Sequence, residues 1–336
     1  MEVSVGGFED APTTVARDQA MLLHAVLDGV ARARVWRRSA EALLLGRFHR
    51  ADPAALPGEG VSRRLSGGRI VPVGPQVVCL TLALPRVDWL SPTAPGLRPE
   101  QVLNRGVRPL LALLRGDGVD AFYPGRDLVT VGGRPLAHLA FTVMRDGAAL
   151  LEMHVAEGPA FARLPLLLDR HDPRGVAGVD RAALDAATCL AEQDVPARDD
   201  EAWALRFAAM ATREMACEVA MVGEPVRGDA EATPEAALGL LASPGPVPEG
   251  SKVAVGLSML GVVECAARLR GDRLLGLQLT GDLIAPFHTL DDIAAECEGE
   301  PFRPANVRKA LTRAMSQPRS FVLGLRELDE LILRME

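Results

Sequence analysis

Between residues 119 and 155 the sequence carries four β-type runs in close succession, Val119–Tyr123, Leu128–Val131, Leu136–Met144 and Ala149–Val155. Gly132-Gly133 separates the second run from the third, and Asp146-Gly147 separates the third from the fourth. Both dipeptides tolerate the positive φ angles of tight hairpin turns, so these runs read as neighbouring antiparallel strands. A chain with such a block builds a sheet and must bury at least one of its faces. Further β-type runs lie at Ala33–Arg37, Ala42–Gly46 and Val77–Leu84.

Helical segments supply the cover. Thr13 or Thr14 can cap a helix that runs to Asp28, with Gly29 as its stop and Val15, Met21, Leu22, Ala25 and Val26 on one face. Pro99–Arg115 is helical, and Pro109 inside it predicts a kink or a split. Phe161–Leu168, Arg181–Ala191 and Glu201–Met221 read as further helices. Gly223–Gly250 holds five prolines and reads as a linker around one short helix at Pro234–Leu241. After it, Lys252–Leu269 and Arg273–Thr280 alternate like paired strands across Arg270-Gly271-Asp272. A helix capped by Thr289 and stopped by Gly299 follows, and a last helix spans Pro304–Met315. The expected fold class is α+β, a mixed sheet flanked by helices with a small C-terminal α+β unit. The expected domains are residues 1–222 and 251–336, joined by the linker 223–250.

Composition narrows the function. A length of 336 residues gives room for two domains, and a net charge of −7 argues against a general nucleic-acid binder. No apolar run approaches the roughly 18–20 residues that span a membrane. The N-terminus, with Glu2, Glu9 and Asp10, lacks the layout of a signal peptide. Five cysteines without a Cys-x-x-Cys pair read as reduced cytoplasmic thiols. The histidines show no metal-ligand spacing, so a metal held by side chains alone is not expected. Lysine occurs only at Lys252 and Lys309, which leaves residues 1–251 without one.

The chemistry-bearing stretch is Arg63-Arg64-Leu65-Ser66-Gly67-Gly68-Arg69-Ile70-Val71. Glycines let backbone amides approach a ligand closely, and guanidinium forks match carboxylates and phosphates. Alone, the pattern equally describes a glycine turn between strands with surface arginines.

Its company makes it more specific. Asp18-Gln19-Ala20-Met21-Leu22, Arg34-Val35-Trp36 and Leu44-Leu45-Gly46-Arg47-Phe48-His49 precede it. Gly118–Leu128 and the hairpin Val131-Gly132-Gly133-Arg134 follow, and Leu277–Asp282 and Cys297–Phe302 lie near the end. In this order and spacing the chain resembles the lipoate–protein ligase A family, within the biotin and lipoate ligases and octanoyltransferases. That resemblance implies a biotin/lipoate ligase-like catalytic domain and an accessory domain. It implies ATP-dependent conversion of lipoate or octanoate to acyl-AMP, then transfer to a lysine of a lipoyl domain or of the glycine-cleavage H protein. It further implies that Arg64 and the amides of Ser66, Gly67 and Gly68 hold carboxylate and phosphate, with Arg63 on the same anions or at the rim. Asp127 takes the acidic position near the nucleotide and its magnesium; His138 either faces the acyl pocket or is a structural histidine on its strand.

The departures are as informative. The family carries an essential lysine just after the hairpin turn. Here the run is Gly132-Gly133-Arg134-Pro135-Leu136-Ala137-His138, which puts Arg134 at that place, or Pro135 if the hairpin holds one extra residue. Arg134 is therefore the candidate catalytic cation. Gly125-Arg126-Asp127 lacks the family's asparagine, and Glu152-Met153 stands where a His-Gly pair is usual. The cysteine nucleophile of the octanoyltransferases is replaced at Ala121-Phe122, and Cys79 sits in an apolar strand as a buried thiol. The alternative to a ligase is a homologue that binds lipoate, a nucleotide or a lipoyl domain without ligating.

Overall fold

The structure is a computed structural model and describes residues 1–50, 60–90, 97–164, 187–223, 244–286, 288–323 and 327–335. Strand β1 (Glu2–Glu9) leads through helix α1 (Ala11–Asp28) into β2 (Arg32–Arg38). β1 and β2 are parallel, with Val3 opposite Ala33, so α1 is the crossover that parallel strands need. The cap of α1 is Asp10, whose carboxylate accepts the Thr13 N–H at 2.9 Å, and the left-handed Gly29 ends the helix. Sequence placed the cap at Thr13 or Thr14; a carboxylate just upstream takes it instead.

β3 (Ala42–Leu45), β4 (Gly60–Arg63) and β5 (Val71–Val73) form a small separate sheet in the order β4-β3-β5. The chain then rejoins the main sheet with β6 (Val77–Leu84). The helix expected over Pro99–Arg115 is two, α2 (Pro99–Gly106) and α3 (Arg108–Gly116), parted at Val107. Pro109 falls in the first turn of α3, where its missing N–H costs no hydrogen bond. The expected meander follows as β7 (Ala121–Phe122), β8 (Leu128–Val131), β9 (Arg134–Val143) and β10 (Ala149–Ala156).

The helices expected at Phe161–Leu168 and Arg181–Ala191 lie partly outside the described residues; what is described beside them are the short 3₁₀ turns Pro159–Arg163 and Leu190–Gln193. Helix α4 (Asp200–Met215) stops at a left-handed Ala216, and the chain re-enters the sheet as β11 (Ala220–Met221), parallel to β1. Periodicity alone carried that helix on to Met221. The short helix expected at Pro234–Leu241 lies outside the described residues. Among the described residues the main sheet has eight strands in the order β11-β1-β2-β6-β10-β9-β8-β7.

The two faces of this sheet differ. One is apolar: Val35, Leu80, Leu82, Leu139, Phe141, Leu151 and Met153 pack with Leu103, Leu110 and Leu114 from α2 and α3 and with Trp203 and Phe207 from α4. Fit is tight, since a Cβ on Gly106 would lie 2.1 Å from Leu151 Cδ2. Truncating Phe141 to alanine in such a core costs about 3–5 kcal/mol. The other face is covered by α1 and the small sheet.

The C-terminal unit has its own three-stranded sheet, β12 (Lys252–Leu257), β13 (Val262–Arg270) and β14 (Arg273–Gly281). The run expected as one strand from Lys252 to Leu269 is two, because Ser258 turns the chain, donating its N–H to Gly261 O at 2.7 Å. Helices α5 (Thr289–Cys297), α6 (Pro304–Met315) and α7 (Leu328–Leu333) complete it around Val263, Leu274, Leu279, Ile293, Val307 and Ile332. No helix among the described residues is long and apolar enough to cross a membrane.

Candidate functional site

Strand register builds the site. Arg34 of β2 lies opposite Thr81 of β6, and Thr81 lies opposite Glu152 of β10. In the next rank Trp36 is opposite Cys79, Cys79 is opposite His154, and His154 is opposite His138. Directly paired residues point to the same side of a sheet. These seven side chains therefore form one strip across four strands, on the face under α1. None is more than 1% exposed, so each polar group needs a partner inside the protein.

At one end of the strip Arg34 bridges Glu9 and Asp18, meeting Asp18 at 2.5 Å. The Trp36 indole N–H donates to Thr81 at 3.0 Å, and the Arg34 guanidinium stands 5.3 Å from the indole ring. Burial pushes the Asp18 carboxyl up to about 7, against the pull of Arg34. Burial also raises Glu152, opposed mainly by Arg64. The carboxylate of Glu152 accepts the backbone N–H of Ser66 at 3.0 Å, which ties the glycine turn to the sheet.

The turn is braced from inside. Arg64 donates to the carbonyls of Leu44 (3.1 Å), Gly67 (2.6 Å) and Arg69 (2.8 Å) and to the Ser66 hydroxyl (3.1 Å). Burial lowers its guanidinium to about 10, which leaves it charged at neutral pH. Gly68 adopts φ 87°, a left-handed conformation that favours glycine. Its N–H donates to the carbonyl of Leu283 at 2.7 Å, and a Cβ on Gly67 would lie 2.2 Å from that same oxygen. The C-terminal unit is thus seated directly on the turn. His49 reinforces the contact, with Nε2 3.0 Å from both Gly68 O and Asp282 Oδ1.

Asp127, just before β8, is fully buried and held by both carboxylate oxygens on Arg69, at 2.5 and 3.0 Å. His138 lies beside it, Nε2 to Oδ2 3.8 Å, and its Nδ1 is 3.3 Å from His154 Nδ1. Burial, with Arg64 next in weight, holds both imidazoles well below the ordinary range, so the pair is neutral. One ring donates and the other accepts.

Arg64, Ser66, Gly67, Gly68, Asp127 and His138 therefore converge on one buried cluster. Arg63 turns away, donating to the carbonyls of Gly46 (3.0 Å), Arg47 (2.8 Å) and His49 (2.5 Å). Arg134 stays at the hairpin tip, where its guanidinium donates to Glu192 at 2.7 Å and to Ala187 O at 3.0 Å. Sequence reasoning gave Arg69, Glu152 and His154 no role in the site. The available signal was alternation: Leu150-Leu151-Glu152-Met153-His154-Val155 places its two polar side chains on one face of a buried strand.

Strand Val77–Leu84 faces two ways: Val78, Leu80 and Leu82 belong to the apolar helix-covered core, while Val77 and Cys79 pack with Trp36 on the other side, and Phe48 packs into the C-terminal core. Burial raises the Cys79 thiol far above its ordinary value, so it is no nucleophile at neutral pH. Magnesium is a poor fit, because Arg69 already occupies both oxygens of Asp127. No group of three or more His, Cys, Asp or Glu among the described residues could hold a metal ion.

No family model matches the chain, and no curated protein matches it in sequence. Solved structures share its fold. LipL1 of P. falciparum in complex with lipoate aligns at TM-score 0.66 and 11% identity, over 93% of this chain and 94% of its own. The bipartite lipoate protein ligase of Thermoplasma acidophilum, from an archaeal lipoylation system with an E2 lipoyl domain, aligns at TM-score 0.54 and 14% identity. That match covers 71% of this chain and 91% of its own. A lipoate-protein ligase A bound with ATP gives 0.53 and 14%, over 71% and 93%. The chain has the lipoate–protein ligase fold, and LipL1 is similar to it over nearly its whole length.

Proposed function

We propose that this chain is a lipoate-ligase-like protein that binds an acyl group or a lipoyl domain without forming the acyl-adenylate. The observation that carries this reading is the place of Arg134. Adenylation develops charge on carboxylate and phosphate oxygens and needs a fixed cation at the reacting centre. No lysine exists in residues 1–251, and the arginine counted into that position is engaged by Glu192 and Ala187 at the hairpin tip. The other charged groups of the cluster are also committed, Asp127 to Arg69 and Arg64 to backbone carbonyls.

A second reading, the ligase itself, is favoured by the convergence of Arg64, Ser66, Gly67, Gly68, Asp127 and His138. On that reading ATP and lipoate or octanoate are substrates, magnesium arrives with the nucleotide, and residues 1–222 and 251–336 are the catalytic and accessory domains joined by the linker 223–250. One experiment separates the two. Purified protein is given lipoate or octanoate, labelled ATP and an apo lipoyl domain, and adenylate, acylated domain and domain binding are read in parallel. Binding without either product supports the first reading; adenylate or acylated domain replaces it with the second.

A further inference from the structure

Helix α3 presents two faces. Leu110, Leu113 and Leu114 enter the apolar core of the main sheet. On its outer side Arg108, Leu111, Ala112 and Arg115 follow helical spacing, and Asn104 of α2 lies one turn before them. This stripe lines a surface cavity of about 640 Å³, within the range of small-molecule sites. Phe122 of β7 and Tyr123 just after it form one side, and Arg213 and Glu214 of α4 another. The cavity belongs to the helix-covered side of the sheet, opposite the side that carries the glycine turn and the histidine pair.

Three guanidiniums line it against one carboxylate, a local excess of positive charge in a chain of net charge −7. Glu214 is engaged by Arg213 at 2.9 Å. Among the described residues the Arg108 guanidinium has no partner, and Arg115 makes one bond, Nε to Ala121 O at 3.0 Å. That bond fixes the Arg115 side chain beside β7 and leaves its Nη groups for a ligand. Tyr123 packs against the apolar core and donates its hydroxyl to Arg126 O. Phe122 is 60% exposed, so its ring contributes little to the core.

We propose that this cavity binds a phosphate monoester that carries a planar ring, such as a nucleoside monophosphate. The phosphate is held by Arg108 and Arg115, whose planar forks match its oxygens. The two arginines are seven residues apart, roughly 10 Å along the helix axis, a gap that the unheld Arg108 side chain can close. Two guanidiniums match the two charges of a phosphate monoester; a carboxylate would leave one uncompensated. The ring lies against Phe122 and Tyr123, a contact that tolerates any base because each has a π-face. Leu111 and Ala112 supply an apolar floor. The site is independent of both readings above, since it uses no residue of the glycine turn and needs no acyl group.

The test is calorimetry on the full chain at fixed ionic strength with phenyl phosphate, uridine monophosphate, uridine, inorganic phosphate and a glutamate-rich peptide. Neither monoester is a substrate in the ligase reading, so this result and that one stand or fall separately. Wild type binds both monoesters, and uridine and inorganic phosphate at least about tenfold more weakly, since each lacks one half of the contact. Arg108→Gln weakens both monoesters about tenfold or more, the scale of one lost charge-assisted hydrogen bond. Phe122→Ser weakens them about fivefold or more, the scale of one lost stacking contact. Neither side chain supports the core, so both variants keep the wild-type melting temperature. The proposal is overturned if wild type binds neither monoester, if either variant keeps wild-type affinity, or if inorganic phosphate or the acidic peptide binds as tightly as the monoesters.

Discussion

The N–H of Gly68 donates to the carbonyl of Leu283 at 2.7 Å across a sequence separation of more than two hundred residues. A backbone donor of the turn thus points into the C-terminal unit, and the turn is part of an internal interface. Gly67→Ala tests this, because its Cβ would sit 2.2 Å from Leu283 O and 3.0 Å from Ile284 Cα, both backbone atoms. Overpacking of this kind costs about 1–3 kcal/mol. The expected result is a lower urea midpoint and faster proteolysis between the two units; wild-type behaviour in both would refute the contact.

The Arg69–Asp127 pair gives an asymmetric prediction. Arg69→Met strands a buried carboxylate and is expected to destabilise by about 3–5 kcal/mol. Arg69→Met combined with Asp127→Leu removes both charges and is expected to recover most of that loss. Denaturant melts of the three proteins form the cycle, and a double variant as unstable as the single one would count against it.

Asp18 predicts a particular pH dependence. Its carboxyl is raised from the unfolded value of about 3.9 to about 7 by burial. Between those values the fold holds a proton that the unfolded chain has released. This contribution is therefore present at low pH and is lost as pH rises through about 7. Urea midpoints between pH 5 and 8 should show that fall in wild type and a flatter profile in Asp18→Asn. Parallel profiles would contradict the assignment.

His138 and His154 act in the opposite sense. Burial keeps both neutral in the fold, with pKa values well below the ordinary one of about 6.5. The unfolded chain takes up protons there first, so stability falls as pH drops below that value. His154→Gln should blunt the acid side of the stability profile and leave the alkaline side as it was, which chemical denaturation from pH 5 to 7 reads directly.

Arg134 is predicted to be dispensable for stability. Its side chain and that of Glu192 are both substantially exposed, at 41% and 44%. Arg134→Lys and Glu192→Gln should leave the melting temperature essentially unchanged and should not raise acyl-adenylate formation. Adenylate appearing in Arg134→Lys would return the hairpin to the reacting centre.

Legibility in the sequence followed the range of the interactions. The hairpins, the break near Pro109 and the glycine stop of α1 are decided by glycine, proline and short-range hydrogen bonds, and these were readable. β1 and β11 were not, because their strand character comes from distant pairing, β1 along β2 and the short β11 against β1, Glu2 opposite Ala220. In the site, the residue types around the turn could be listed from sequence. That Arg64 would face carbonyls and Asp127 would face Arg69 could not, since both depend on side-chain directions fixed by tertiary packing. Arg134 is the sharpest case: its number in the chain suited a reacting centre, while its ion pair with Glu192 is set by a distant segment.

The order of strands also dictates when this protein can finish folding as it is made. β1 leaves the ribosome well before β11, yet one of its two edges pairs only with Ala220 and Met221. Until that point the N-terminal strand has an open edge, the kind that recruits stray chains. The turn that carries Gly68 waits longer still, for Leu283. A nascent chain stalled before that residue would leave the turn uncovered, and such fragments are natural clients for chaperones or proteases.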